Sequence, residues 1–235
     1  MFIWNGFNAL TMDCPQCAAL EKQFGKKTAR KDLKRYQKKG PNQTTQYILN
    51  FFGSLGVSNL SLLDIGGGVG VIQHELIKKG IVSDVLNVDA SLSYQHVVKD
   101  VAARLGYQEK IKFLSGDFVS LSDQVPDADI VALERVVCCY PNMVQLIEDS
   151  LARATSYYAV VYPLKTWWME IGFGVLNFFM RITRNSFRVF LHKPRDLHAL
   201  IRAYDFHEVF KKRAGIWMVE IYKKESSRDG DHVNA

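Results

Sequence analysis

The chain has 235 residues, 48% apolar and 23% charged, with four cysteines and a formal net charge of +6. That balance excludes a disordered chain, and the cysteines are too few for a disulfide framework at this size. No apolar run reaches the ~18 residues that a membrane-spanning helix requires.

Residues 1–20 read as a loosely structured arm. Its start, MFIWNGFNALTMDCPQC, lacks the basic and long apolar regions of a signal peptide, so a cytoplasmic location is expected. Cys14-Pro15-Gln16-Cys17 resembles half of a zinc site. The other half would have to be the adjacent Cys138-Cys139, a poor ligand geometry, and no metal is expected. Residues 22–39, KQFGKKTARKDLKRYQKK, hold nine Lys or Arg against one Asp. Helical spacing puts Leu33 and Tyr36 on one face, and such charge runs usually solvate. A basic surface could also attract phosphate, a carboxylated substrate or an anionic lipid head group. Gly40-Pro41-Asn42 stops this helix, and another starts at Thr44 or Thr45. Tyr47, Ile48, Phe51, Phe52 and Leu55 give it an apolar stripe, with Gly56 as its cap.

From here strand and helix alternate. SLLDI at 61–65 is a buried strand, GGGVG at 66–70 a turn, and 71–80 a helix. Strands follow at 85–90, at 110–118 and from 128, with a helix over 91–105. A helix at 143–154 leads to a fifth strand at 157–163. This order implies a parallel sheet covered on both faces, an α/β fold. Residues 164–192 break the pattern and are unusually aromatic; helical periodicity returns at 194–204. Residues 207–224 read as a closing hairpin turning near Ala214-Gly215, and 225–235 as a disordered tail.

The strand ends carry the chemistry. Asp64 precedes Gly66, Gly67, Gly68 and Gly70 at a strand-to-helix turn, where free helix N–H groups and close backbone approach suit a nucleotide-type cofactor. The spacing is G-x-G-x-G rather than the G-x-G-x-x-G of dinucleotide sites, and there is no phosphate-binding Lys motif. An acid before the turn favours a cofactor with a positively charged amine. Asp89-Ala90 ends the second strand, where an acid can accept from ribose hydroxyls. Asp117-Phe118 ends the third, placed for an adenine amino group and ring, and Glu134-Arg135 ends the fourth. Any one acid could merely cap a helix; four at successive strand ends form a set.

LLDIGGGVG, NVDAS and SGDF together resemble a class I S-adenosylmethionine-dependent methyltransferase. The resemblance implies a Rossmann-like sheet of seven strands, mostly parallel with the last antiparallel, and helices on both faces. It implies a basic lid helix within 1–43, a methyltransferase domain over 44–224, and an aromatic substrate insertion at 164–192. S-adenosylmethionine is then the cofactor and S-adenosylhomocysteine the product. Asp64 and Gly66–Gly70 would hold the methionine moiety, Asp89 and Ala90 the ribose, and Asp117 and Phe118 the adenine, with Glu134 and Arg135 at the rim. ALERVVCCYP at 132–141 is similar to the bacterial group of magnesium-protoporphyrin O-methyltransferases, some of which carry His before the Tyr-Pro. Cys139 stands there in this chain, which does not support a porphyrin acceptor.

Candidate catalytic residues are Tyr140 and Cys139 beyond the fourth strand and Tyr36 on the lid, with Thr44-Thr45 also facing the site. Trp167, Trp168, Phe173, Phe178 and Phe179 could line an apolar acceptor pocket, complete the core, or meet a membrane surface or a partner. Lys165, Arg181, Arg184 and Arg188 could pair with acceptor carboxylates. His74, His96, His192, His198 and His207 show no metal-binding spacing and read as structural or surface residues. The expected function is methylation, with oxygen favoured, of a small or medium-sized apolar and acidic acceptor. The alternatives are a nucleic-acid methyltransferase, disfavoured by the absence of a recognisable nucleic-acid motif, and a non-catalytic cofactor-binding protein. The oligomeric state is left open.

Overall fold

The computed structural model describes residues 15–225, with side chains from Ala19 onward. Cys14, the side chain of Cys17 and the tail from 226 lie outside the described residues. The chain opens with helices α1 (Pro15–Gln23), α2 (Lys26–Lys39) and α3 (Gln43–Ser54). Then come β1 (Leu60–Ile65), α4 (Val71–Lys78), β2 (Val82–Asp89), α5 (Leu92–Leu105) and β3 (Ile111–Ser115). A short α6 (Phe118–Leu121) leads to β4 (Ala128–Glu134), α7 (Met143–Ala152) and β5 (Ala154–Pro163). Helices α8 (Trp167–Ile182) and α9 (Pro194–Ala203) precede the hairpin β6 (Phe206–Ala214) and β7 (Trp217–Lys224).

The strands form one seven-stranded sheet in the order β3-β2-β1-β4-β5-β7-β6. The first five are parallel, and β7 runs antiparallel to both β5 and β6. The expected architecture is thus the observed one. Successive strand side chains point to opposite faces, and both faces are covered. Leu63, Val131 and Val160 pack with Leu146, Ile147 and Leu151 of α7 and Ile201 of α9. Their neighbours Leu62, Ile130 and Val161 pack on the other face with Phe52 of α3, Leu76 of α4 and Val98 of α5. This explains why the central strands read as unbroken apolar runs.

Two regions differ from expectation. Residues 15–20 are helical rather than loosely structured, within α1 (Pro15–Gln23). The aromatic segment forms a continuous helix, α8, in which Met169 is buried while Trp167, Trp168, Phe178 and Phe179 are exposed. Those four rings therefore do not complete the core. No helix among the described residues is long and apolar enough to cross a membrane.

Phe52 is fully buried and meets the Phe51 and Tyr157 rings edge-on. Phe52→Ala is expected to cost about 3–5 kcal/mol of stability, read as a fall in the urea unfolding midpoint without change of slope.

Candidate active site

A cavity of about 420 Å³ opens at the carboxyl ends of β1, β2, β3 and β4, a size within the usual range for small-molecule sites. Asp64, Gly66, Gly67, Gly68, Asp89, Ala90, Asp117, Phe118, Glu134, Arg135, Cys139 and Tyr140 all line it. Twelve residues noted in sequence at four strand ends and beyond thus share one space. Gly70 is not in the lining; it starts α4 as its N-cap with a left-handed backbone.

The floor of the cavity is an acid with nothing to bond to. Asp64 is fully buried, and neither carboxylate oxygen has a hydrogen-bond partner. Burial, then the Glu134 and Asp89 charges, push its pKa up to about 8. Gly67 lies over it so closely that a Cβ there would sit 2.2 Å from Asp64 Oδ2. Gly66 has φ of 61° and would drive a Cβ to 2.7 Å from Val136. A side chain at residue 67 would therefore run into the carboxylate, and one at residue 66 into Val136.

Asp89 differs. Its Oδ1 accepts from Ser91 N at 2.8 Å and its Oδ2 from Gly68 N at 3.3 Å. Burial raises its pKa to about 6, with the two backbone donors working against that shift. Asp117 caps α6, and its Oδ2 accepts from Ser120 Oγ at 2.7 Å and Tyr140 OH at 3.1 Å. Phe118 is buried beside it.

The fourth strand end is locked to α3. Glu134 accepts from the Thr45 hydroxyl, 2.8 Å from both carboxylate oxygens, and from the Thr44 hydroxyl at 2.5 Å. Arg135 adopts a left-handed backbone (φ 63°), rare and costly without glycine. Its guanidinium donates to Asn42 Oδ1 at 3.2 Å and Thr44 Oγ1 at 3.0 Å, and lies 4.7 Å from the centre of the Trp217 ring. Asn42 also caps α3, accepting from Thr44 N and Thr45 N. In sequence Gly40-Pro41-Asn42 signals a helix stop, and Asn is also a favoured N-cap for the helix that follows, but neither signal indicates a link to β4.

Helices α1 and α2 and the link between them close one side of the cavity with Leu20, Phe24, Asp32 and Arg35. Asp32 accepts from Tyr94 OH at 2.6 Å, tying α2 to α5. The structure does not bring Tyr36 to this cavity. Its hydroxyl bonds Glu75 and receives Lys78 Nζ at 3.3 Å, on the wall of a separate depression. Burial, with the Glu75 bond and charge, raises its pKa, so it packs as a neutral phenol. Nor do Trp167, Trp168, Phe173, Phe178, Phe179, Lys165, Arg181, Arg184 or Arg188 line it. Cys139 does, with its sulfur 3.8 Å from that of Cys138. That contact and burial push the Cys139 thiol well above its ordinary range, so it presents a neutral sulfur. His74 is buried against Tyr107, and burial lowers its pKa to about 4.

A parallel sheet with a glycine turn and acids at successive strand ends defines a cofactor-binding α/β domain. Residues 20–148 match the O-methyltransferase domain family, more than half of the chain, and the chain belongs to it. Its methyl donor is accordingly S-adenosylmethionine, as the sequence resemblance implies. The donor set fits that group: a buried acid without a partner faces the cavity where a cationic amine can bind. Solved structures share the fold. Magnesium protoporphyrin IX methyltransferase from Synechocystis PCC 6803, with bound S-adenosylhomocysteine, has a TM-score of 0.64 at 17% identity, covering 78% of this chain and 83% of that one. An O-methyltransferase family protein from Burkholderia thailandensis has a TM-score of 0.66 at 11% identity, covering 88% and 63%. A family 2 O-methyltransferase from Planctomyces limnophilus, in complex with apigenin, has a TM-score of 0.60 at 15% identity, covering 91% and 66%. No curated protein matches the chain in sequence.

Because Thr45 is buried and donates to a carboxylate, Thr45→Val is expected to cost about 1.5–3 kcal/mol. Urea unfolding of the variant beside wild type measures it.

Proposed function

We propose that the chain transfers a methyl group to an oxygen of an apolar, acid-bearing small molecule. The observation that carries the cofactor half of this reading is the buried, partnerless Asp64 under the glycine turn. In the proposal Asp64 takes the ammonium of the methionine moiety, and the Gly66–Gly68 backbone passes beside it. Asp89 accepts from the ribose hydroxyls, and Asp117 and Phe118 hold the adenine.

The cofactor supplies an electrophilic methyl on a sulfonium, and the transfer is an in-line displacement. The protein's share is to position the acceptor oxygen and keep water out. Leu20 and Phe24 on the α1–α2 side and Tyr140 beyond β4 offer apolar wall, and Arg35, more than half exposed and 3.6 Å from Asp32, a cation. That combination supports an acceptor with an apolar body and a carboxylate. Glu134 is engaged by two threonines and acts here by holding α3 in place, not as a base. Tyr140, hydrogen-bonded to Asp117, orients the acceptor in this reading. No specific observation favours the nucleic-acid or non-catalytic alternative.

The test is calorimetric titration with S-adenosylhomocysteine. Asp89→Ala is expected to weaken binding about tenfold to a hundredfold, the loss of one or two hydrogen bonds to a charged acceptor. No binding by folded wild type overturns the reading.

The pH dependence follows from Asp64. Its acid is raised from 3.8 to about 8 in the fold, so the native state holds an extra proton between those values. Stability therefore falls as pH rises through that window. Ammonium binding needs the ionised form, so binding releases a proton below pH 8. Affinity is expected to rise with pH, by at most about tenfold per unit, and level off above 8. Asp64→Asn is expected to flatten that slope.

Arg35→Ala is expected to raise KM for carboxylated acceptors about tenfold, the loss of one charge-assisted contact, while affinity for S-adenosylhomocysteine stays unchanged. Turnover of an apolar acid with unaltered KM overturns the acceptor assignment.

A further inference from the structure

Helix α8 turns its apolar side away from the protein. Trp167, Ile171, Val175, Phe178 and Ile182 recur every three or four residues and form one stripe. All five are exposed, Trp167 by 74% and Phe178 by 61%, and Trp168 and Phe179 widen the stripe. The opposite side is anchored. Met169 is only 4% exposed. Asn177 grips the backbone of Val189, donating to its carbonyl at 2.8 Å and accepting from its N–H at 3.0 Å. The helix is thus held in the orientation that exposes its rings. A contiguous patch of this kind marks an interaction surface.

Charge at its edge identifies the occupant. Arg181 and Arg184 are exposed at the helix's C-terminal end. Just beyond them Asn185 donates to Gln23 at 3.1 Å, and Phe187 meets Phe24 edge-on at 5.5 Å. These contacts bring the exposed Lys22, Lys26 and Lys27 to the same end. The acid of α8, Glu170, is taken by Lys165 at 3.1 Å. A second copy packed on this face would bring more cations and, from α8, only Glu170, which Lys165 already engages. An anionic bilayer supplies both an apolar layer and negative charge.

We propose that α8 is a membrane-docking helix that lies in the interface of an anionic lipid surface. Its 16 residues span about 24 Å, short of the ~20 residues needed to cross. The tryptophans sit at its N-terminal end, a side chain suited to the head-group boundary, and the cations rim the other end. After α8 the chain returns to the turn that follows β4. Phe190 N donates to the Cys138 carbonyl at 2.7 Å, and the His192 ring lies 3.0 Å from the Tyr140 carbonyl. The docking helix is therefore coupled through residues 185–192 to the turn that carries Cys139 and Tyr140. The proposal stands independently of the acceptor assignment, since it rests on α8 and its rim alone.

The experiment is flotation of the full chain with phosphatidylcholine vesicles, with and without phosphatidylglycerol. Wild type is expected to float with the anionic vesicles at low salt, with blue-shifted tryptophan emission, and about tenfold less at high salt or without phosphatidylglycerol. The double variant Ile171→Asp with Phe178→Asp is expected to lose at least about tenfold in partitioning. Its titration with S-adenosylhomocysteine, unchanged from wild type, shows that the fold is kept. Arg181→Glu with Arg184→Glu is expected to weaken the preference for anionic vesicles at least about tenfold. Failure of wild type to float overturns the proposal. So does equal binding to both vesicle types, or a solution dimer that the Asp double variant splits.

Discussion

The site depends on one close approach, that of the Gly67 backbone to the Asp64 carboxylate. Asp64, near the end of β1, is fully buried, with the glycine turn packed against its carboxylate. A side chain at residue 67 would collide with that carboxylate, which would have to move. Because nothing in the protein bonds either oxygen, the acid is held in a protonation balance that a cation can tip. Asp89, a strand away, is already held by two backbone donors. Two buried acids thus differ in chemistry because one has backbone partners and the other does not.

The second constraint is the knot between α3 and the end of β4. Asn42, Thr44 and Thr45 lie ahead of the sheet in sequence, yet they bond Glu134 and Arg135. Arg135 is held in a left-handed conformation by this network and by the Trp217 ring. Strain of that sort persists only when the surroundings over-determine it. The result is a rigid corner from which the chain turns toward Cys139 and Tyr140, and against which the N-terminal helices close the cavity.

Helix α8 shows why aromatic content alone is ambiguous. A run such as WWMEIGFGVLNFFMRI has the period of an amphipathic helix whichever way it faces. The Asn177 grip on Val189 and the burial of Met169 decide that its more apolar side faces outward. Neither the core nor the cavity receives those rings.

Local pattern determined much of this protein by itself. Apolar runs of strand length, the glycine turn and acids at strand ends are short-range features, and each is read within a few residues. They are enough for the alternating sheet and for the residues of its carboxyl edge, because parallel topology brings successive strand ends together. What tertiary structure decided is everything that joins distant segments. Tyr36 has helical spacing suited to a lid, but Glu75, distant in sequence, draws it to another surface. Asn42 looks like punctuation until β4 is placed beside it. The outward face of α8 is set by a contact with Val189 that no periodicity encodes. Spacing specifies which side chains share a face; only packing specifies what that face meets.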